Sequence, residues 1–363
     1  MKAAVLYGLN QPVVVEDIEM EAPKAGEIVV KIAATGVCHS CHHAITGMLG
    51  VPFPIVLGDE GAGVVEEVGA GVTLVKPGDR VILSWVPSCG HCSYCTQGYG
   101  NLCMKSRQGG RGNLLDGTTR YKKNGVPIHH FGMVASFAEY SVIPQECAIP
   151  LDDDIPLDTA ALIGCSVTTG VCAATNTAQV RPGSSVVLFG AGGIGLNVVQ
   201  GAVIAGAERI IVVDLVDSKL EMARQFGATH TINASEVDPI PEIQVLTDGL
   251  GADYAFEAIG TRTTYEQTVR AIRNRGKAIW VGAPPLEPLS LDAAIVFWGE
   301  KTIMGSNYGS ARPRYDMPRL LALYRAGMLK LDELITRTYQ LEEVNEAFDD
   351  MLNGEVARGL IRF

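Results

Sequence analysis

The chain is 363 residues long, is 47% hydrophobic and 19% charged, and sets 29 Lys and Arg against 40 Asp and Glu for a net charge of −11. That length calls for two domains, and ample apolar content with little charge excludes disorder as the main state. An acidic chain has no broad basic surface to neutralise a run of phosphates, which excludes nucleic acid as a partner class.

The first ten residues hold one Lys and no small-residue cleavage site, so no signal peptide is read. The nine cysteines are then expected to be reduced thiols or metal ligands in a cytoplasmic chain rather than disulfides. From Met1 to about Pro150, short β-rich runs at 28–33, 63–68 and 80–83 alternate with Pro and Gly turns, the pattern of an irregular β domain. Inside it Cys89, Cys92, Cys95 and Cys103 follow a CxxCxxCx7C spacing in a segment with no hydrophobic period. Four thiolates on one loop suit a closed tetrahedral zinc site. A [4Fe–4S] cluster is the competing reading, disfavoured because no proline follows the last cysteine.

From Ser184 the pattern changes to apolar strands alternating with helices, with strands expected at 185–189, 209–214, 229–233, 254–258, 277–282 and 301–306. Six such strands imply an α/β fold with a doubly wound parallel sheet. The uncharged run 186–207 has the length of a membrane span, but its glycines mark a strand, a turn and a buried helix, so no membrane partner is expected. Helices near 317–326 and 341–352 are expected to return to the first domain.

Gly190, Gly192 and Gly195 form a GxGxxG motif after the first of these strands and before a helix. The first glycine permits the tight turn, the second lets the backbone approach a pyrophosphate, and the third lets helix and strand pack. Asp214 closes the next strand 19 residues beyond Gly195, where a carboxylate accepts hydrogen bonds from an adenosine ribose and repels a 2′-phosphate. Cys38 lies in Gly-Val-Cys-His-Ser-Cys-His-His, Asp59 and Glu60 lie in Leu-Gly-Asp-Glu-Gly-Ala-Gly, and Cys165 precedes the dinucleotide fold. These are candidates for a second metal beside a nicotinamide, but spacing alone does not bring remote segments together.

With Gly-Val-Cys-His at 36–39, Gly-Asp-Glu-Gly-Ala-Gly at 58–63, the four-cysteine segment, Gly-Ala-Gly-Gly-Ile-Gly at 190–195 and the C-terminal Ala-Arg-Gly-Leu-Ile-Arg-Phe, the chain resembles a zinc-dependent alcohol dehydrogenase of the medium-chain dehydrogenase/reductase superfamily. Residues 116–140 are similar to the longer, liver-type branch, which implies a homodimer, with a homotetramer as the alternative. The resemblance implies a GroES-like catalytic domain at 1–166 and 308–363, with a zinc lobe at 89–103, and a Rossmann domain at 167–307. It implies NAD and two zinc ions per chain, and reversible oxidation of an alcohol to an aldehyde or ketone.

By position in that family, Cys38 and Cys165 are catalytic zinc thiolates, Ser40 passes on the alcohol proton, and His43 ends the relay. The loop Gly190 to Gly195, including Gly193 and Ile194, would bind the dinucleotide with His39, Asp214, Lys219 and Arg358. Where the family writes Gly-His-Glu this chain has Asp59 before Glu60, and Cys41 replaces an Asp that normally supports the histidine. Asp59 is therefore expected as the third ligand of the catalytic metal, with Glu60 and Cys41 as alternatives. Trp85 and Phe131 suggest an apolar or aromatic alcohol. The competing readings are a glutathione-adduct formaldehyde dehydrogenase, for which Arg107 fits and Leu49 does not, a nicotinoprotein that retains its NAD, and a zinc-free reductase or silent dinucleotide-binding member.

Overall fold

A computed structural model describes residues 1–284 and 288–363, which divide into two compact units. The first comprises Met1–Ser166, Arg312–Gly327 and Leu331–Phe363. Its organising element is the ten-residue strand Glu27–Gly36, rich in the β-branched residues Ile28, Val29, Val30, Ile32 and Thr35, which pairs antiparallel with Gly61–Val68, Tyr140–Pro144 and Arg358–Arg362. The sheet runs Ala148–Leu151, Arg80–Leu83, Gly61–Val68, Glu27–Gly36, Arg358–Arg362 and Ile335–Tyr339, with Tyr140–Pro144 added to the long strand. A second six-stranded sheet includes Lys2–Leu6, Ile55–Val56 and Val126–His130. One apolar cluster gathers Ile28, Val30, Ile32, Val65, Val81 and Val142, and another gathers Leu6, Leu57, Phe131, Phe137 and Phe348.

Strands Tyr121–Lys123 and Val126–His130 form a hairpin turned by Asn124 and Gly125, both with positive φ, as a two-residue Asn-Gly turn requires. Arg120, fully buried at its start, donates from Nε and Nη2 to Glu27 at 2.7 and 2.5 Å and from Nη2 to Asp116 at 2.7 Å. This fastens the hairpin to the strand Glu27–Gly36.

The second unit, Val167–Ala311 with Met328–Lys330, holds a six-stranded, wholly parallel sheet in the order His230–Asn233, Arg209–Asp214, Ser185–Phe189, Ala252–Glu257, Ile272–Trp280, Thr302–Gly305. Ser185–Phe189 has Arg209–Asp214 on one side and Ala252–Glu257 on the other, so the chain reverses direction across the sheet there, and ligands of doubly wound folds bind outside such carboxyl ends. The partition differs from the expected boundaries by residues 308–311 and 328–330, which belong to the second unit. Lys330 is tied there by its main-chain N–H to Gln200 Oε1 at 2.7 Å and by Gln200 Nε2 to its carbonyl at 3.0 Å. The uncharged run 186–207 resolves into a strand and the helix Gly193–Ile204, and among the described residues no single helix is long and apolar enough to cross a membrane.

Candidate active site

The glycine motif sits where the strand Ser185–Phe189 turns into the helix Gly193–Ile204. Gly190 has φ of 97°, and a Cβ on Gly195 would lie 1.9 Å from the Gly190 carbonyl oxygen, so this turn closes only with glycine at both positions. A Cβ on Gly192 would meet nothing within 4 Å, leaving the backbone open to an approaching anion at a helix N-terminus. Asp214 binds the loop directly: Oδ2 accepts the Ala191 N–H at 2.7 Å, while Oδ1 accepts those of Leu215 and Val216 at 2.8 and 3.1 Å. Lys219 lies on the following helix, Asp217–Gln225.

Cys89, Cys92, Cys95 and Cys103 bring four sulfur atoms within 4.8 Å of one another, with Cys89 to Cys95 and Cys92 to Cys103 both at 4.0 Å. Tetrahedral Zn–S bonds put sulfurs about 3.8 Å apart, so the donor set fits a closed structural zinc. Main-chain N–H groups of Cys89 and Met104 reach Cys103 and Cys92 at 3.5 Å. Cys92 is drawn down to about 6 by main-chain donors at Cys95 and Met104, while burial pushes the Cys95 and Cys103 thiols up.

The second cluster is assembled from four segments of the first unit. Cys38 caps the short helix His39–Ile45, Asp59 and Glu60 precede the strand Gly61–Val68, Cys165 precedes the helix Ser166–Cys172, and Arg358 opens the strand Arg358–Arg362. The Cys38 and Cys165 sulfurs lie 3.9 Å apart, and Cys165 Sγ lies 3.7 Å from Asp59 Oδ2. Ser40 donates its hydroxyl to the same Asp59 oxygen at 2.5 Å, and the Cys41 thiol donates to Asp59 Oδ1 at 3.8 Å. The atoms that all meet within 4.8 Å are those of Cys38, Glu60 and Cys165. Glu60 is nevertheless fully engaged, accepting from Arg358 Nε at 2.9 Å and from Arg358 Nη2, from the Ser166 N–H at 2.8 Å and from the Ser166 hydroxyl at 3.3 Å. Its carbonyl takes the Gly36 N–H at 2.7 Å and the Thr35 hydroxyl at 3.0 Å. A Cβ on Gly36 would lie 2.2 Å from Glu60 Oε1, which is why glycine stands two residues before Cys38.

Five acidic groups, Cys38, Cys41, Asp59, Glu60 and Cys165, thus share a buried site with one fixed cation, Arg358. Burial, then the Cys38 thiolate, pushes the Asp59 carboxyl well up, and burial also raises Glu60 and Cys41. Cys38 is held low, first by the Cys165 thiol hydrogen bond and, against burial, by Arg358. Burial opposes the charge on Arg358, but Glu60 and Cys38 outweigh it and keep the guanidinium ionised. Such a set releases protons on gaining a divalent cation, and two thiols with a carboxylate are donors zinc accepts.

Several expected residues occupy other surroundings. Arg358, expected against the cofactor phosphates, is 4% exposed, with its guanidinium bound to Glu60. Phe131, offered with Trp85 as a sign of an apolar alcohol, packs in the apolar cluster with Cys41 and Leu57. Trp85 stands by this second cluster: a Cβ on Gly132 would lie 3.2 Å from Trp85 Cβ and 3.7 Å from Asp59 Cβ. His39 and His43 share one helix with ring centroids 6.4 Å apart. Ser166, which holds Glu60, was not anticipated, because a serine beside Cys165 carries no spacing signal.

Residues 24–153 match the alcohol dehydrogenase GroES-like domain family and residues 193–326 the zinc-binding dehydrogenase family. The chain is 43% identical over 366 residues to the NDMA-dependent alcohol dehydrogenase of Amycolatopsis methanolica, covering 99% of this chain and 98% of that one. Its structure is similar to benzyl alcohol dehydrogenase from Acinetobacter calcoaceticus, with a TM-score of 0.94, 34% identity and coverage of 100% and 99%. It is also similar to a short chain alcohol dehydrogenase from E. coli CFT073 complexed with NADH, with a TM-score of 0.82, 26% identity and coverage of 100% and 99%.

Proposed function

The chain belongs to the zinc-type alcohol dehydrogenases of the medium-chain dehydrogenase/reductase superfamily, and on that premise we propose an NAD-dependent oxidation, and its reverse, of an apolar or aromatic alcohol, with two zinc ions per chain. The observation that carries this reading is the meeting of Cys38, Cys165, Asp59 and Ser40 in one buried cluster. Zinc supplies polarisation of the alcohol oxygen and the nicotinamide supplies the hydride acceptor. Cys89, Cys92, Cys95 and Cys103 would hold the structural ion. Cys38, Cys165 and Asp59 would hold the catalytic one, because both Glu60 oxygens already accept from Arg358 and Ser166 while Asp59 faces Cys165.

In this reading Cys41 takes the supporting position beside Asp59: a neutral thiol donates to a carboxylate that an Asp there would repel. Ser40 holds the transferable proton at Oγ, and His43, three residues on, passes it outward, a role suited to an imidazole. Arg358 acts through Glu60, balancing the negative cluster. Gly190 to Gly195 would receive the pyrophosphate, with His39 as a further phosphate contact. Asp214 and Lys219 would hold the adenosine ribose, and Asp214 would select NAD over NADP.

The aromatic preference is supported by Trp85 beside Asp59 and by the benzyl alcohol dehydrogenase likeness. A second reading, retention of NAD between turnovers with a second carbonyl as hydride acceptor, is favoured by the relative named for its dependence on NDMA. We further propose a homodimer joined at Thr302–Gly305, which pairs only with Ile272–Trp280 among the described strands, beside Phe297 and Trp298 at 71% and 80% exposure. Nine free thiols support a cytoplasmic location.

The test is metal content measured with turnover. Two zinc ions per chain, alcohol-dependent NADH formation, and selective loss of one zinc in Asp59→Ala with the lobe ion and NADH binding retained are the expected results. An Asp59→Ala enzyme with both metals and unchanged alcohol oxidation would overturn the assignment of Asp59.

A further inference from the structure

Glu257 closes the strand Ala252–Glu257 and is fully buried, yet among the described residues it pairs with no lysine or arginine. Its two carboxyl oxygens are used very differently. Oε1 accepts three hydrogen bonds, from the Ile259 N–H at 2.9 Å, the Gly260 N–H at 2.7 Å and the Thr264 hydroxyl at 2.7 Å. Oε2 is buried with no hydrogen-bond partner. It faces the next loop so closely that a Cβ on Gly282 would lie 2.5 Å from it. A buried carboxyl with one unsatisfied oxygen destabilises a fold and calls for a reason to be there.

The reason lies in what the residue joins. Its main-chain oxygen accepts the N–H groups of Val281 and Gly282 at 2.9 and 3.0 Å, so one residue fastens the loop after its own strand to the loop after Ile272–Trp280. Those loops touch backbone to backbone: a Cβ on Gly260 would lie 2.4 Å from the Ala283 carbonyl oxygen, and one on Gly282 would lie 2.6 Å from the Gly260 nitrogen. On the other side Ile259, whose N–H Glu257 holds, leans its side chain over Gly190, where a Cβ would meet Ile259 Cγ1 at 2.5 Å. Three loops at the carboxyl ends of three adjacent strands therefore meet around Glu257, on the edge where a doubly wound sheet binds its ligand.

We infer that Glu257 is a positioning residue for the dinucleotide: its carboxyl fixes the Ile259–Gly260 loop, and through the Ile259 side chain the approach to Gly190, while its main-chain oxygen holds Val281–Gly282. This deepens the reading above and rests on its nicotinamide cofactor. Burial pushes the carboxyl up from its ordinary value, against the Gly260 N–H and the Thr264 hydroxyl. Glutamine, neutral and of the same shape, keeps the acceptor that Ile259, Gly260 and Thr264 need, whereas alanine removes it.

The test is binding of NADH to the full-length protein, followed by nicotinamide fluorescence for the wild type, Glu257→Gln, Glu257→Ala and Thr264→Val. Glu257→Ala should raise the Kd at least about tenfold and Glu257→Gln should stay within about threefold of wild type, as loss and retention of these hydrogen bonds imply. Zinc content should not change. Thr264→Val, which removes one donor, should lie between them and serves if Glu257→Ala does not fold. Equal losses of thermal stability in both Glu257 variants, with Kd unchanged throughout, would show a purely structural residue and overturn the inference alone. A wild-type protein stripped of any retained nucleotide that binds no NADH would overturn the cofactor reading and this inference with it.

Discussion

The guanidinium of Arg358 and the carboxylate of Glu60 form a bidentate ion pair with both side chains buried, at 4% and 0% exposure. The two residues are 298 positions apart in the chain, and the pair ties the last strand of the first unit to the segment that carries Asp59. Removing one partner leaves the other charge uncompensated in a site that already holds Cys38, Asp59 and Cys165. Arg358→Ala should therefore lose roughly 3–5 kcal/mol of stability. The double variant Glu60→Gln with Arg358→Met, which removes both charges, should recover part of it. Calorimetric midpoints of the three proteins at fixed zinc concentration check this, and a double variant as unstable as Arg358→Ala would refute it.

The four-cysteine lobe leaves its large apolar side chains Tyr94, Tyr99 and Leu102 exposed, so its order should depend on a bound metal. Cys95→Ser should lose one zinc per chain and fall in thermal midpoint, with aggregation on heating, because structural zinc binding is coupled to folding. Elemental analysis alongside a thermal scan tests it. Full thermal stability after confirmed loss of that zinc would rule out a structural role.

Asp214 holds the Ala191 N–H of the glycine loop, and in the proposed function the same carboxylate takes the adenosine ribose. Asp214→Ser should narrow the preference for NAD over NADP by relieving like-charge repulsion of the 2′-phosphate. It should also raise the KM for both cofactors, because the loop loses a charge-assisted hydrogen bond. Steady-state kinetics with each cofactor decides it, and equal use of NAD and NADP by the unmodified enzyme would exclude the role.

His130 supplies a pH dependence that does not involve the metal sites. It is fully buried, stacks on Tyr121 with ring centroids 4.0 Å apart, and accepts the Arg120 main-chain N–H at Nε2. Burial, with Arg120 nearby, lowers it to about 3. An unfolded histidine titrates near 6.5, so between about pH 6.5 and 3 the unfolded chain binds the extra proton and stability falls as pH falls. Full stability from this group is present above that window, and several kcal/mol are lost across it. His130→Gln should flatten the decline in thermal midpoint over that range, and a wild-type slope in the variant would exclude His130 as its source.

How far each feature could be read from the residues follows from what kind of signal it carries. The strands Arg80–Leu83, Ser185–Phe189 and Arg209–Asp214 have the ends expected from their apolar runs, because turn residues bound them on both sides. Other ends differ. The strand expected at 277–282 runs from Ile272 to Trp280, since Arg273, Asn274 and Arg275 interrupt the apolar pattern while the pairing continues past them. Two-residue strands such as Ile55–Val56 have no period to detect. The Asn124–Gly125 hairpin carries a local signal, since both turn residues take the positive φ that an Asn-Gly turn supplies.

Local chemistry needs only neighbouring residues, so the sequence by itself determined the four-sulfur cluster, the glycine turn and the position of Asp214: each lies on one short stretch of chain whose spacing sets its geometry. The catalytic cluster is different. Cys38, Asp59, Cys165 and Arg358 stand far apart in the chain, and nothing in their spacing says that Arg358 would bind Glu60 rather than a phosphate, or that Ser40 and Cys41 would both turn to Asp59. Nor does it show that Glu257 has one bonded and one unbonded oxygen. Those partnerships were decided by tertiary structure, because a buried charge takes whichever complementary group the packed fold brings within hydrogen-bonding distance, and that distance exists only once the strands have paired.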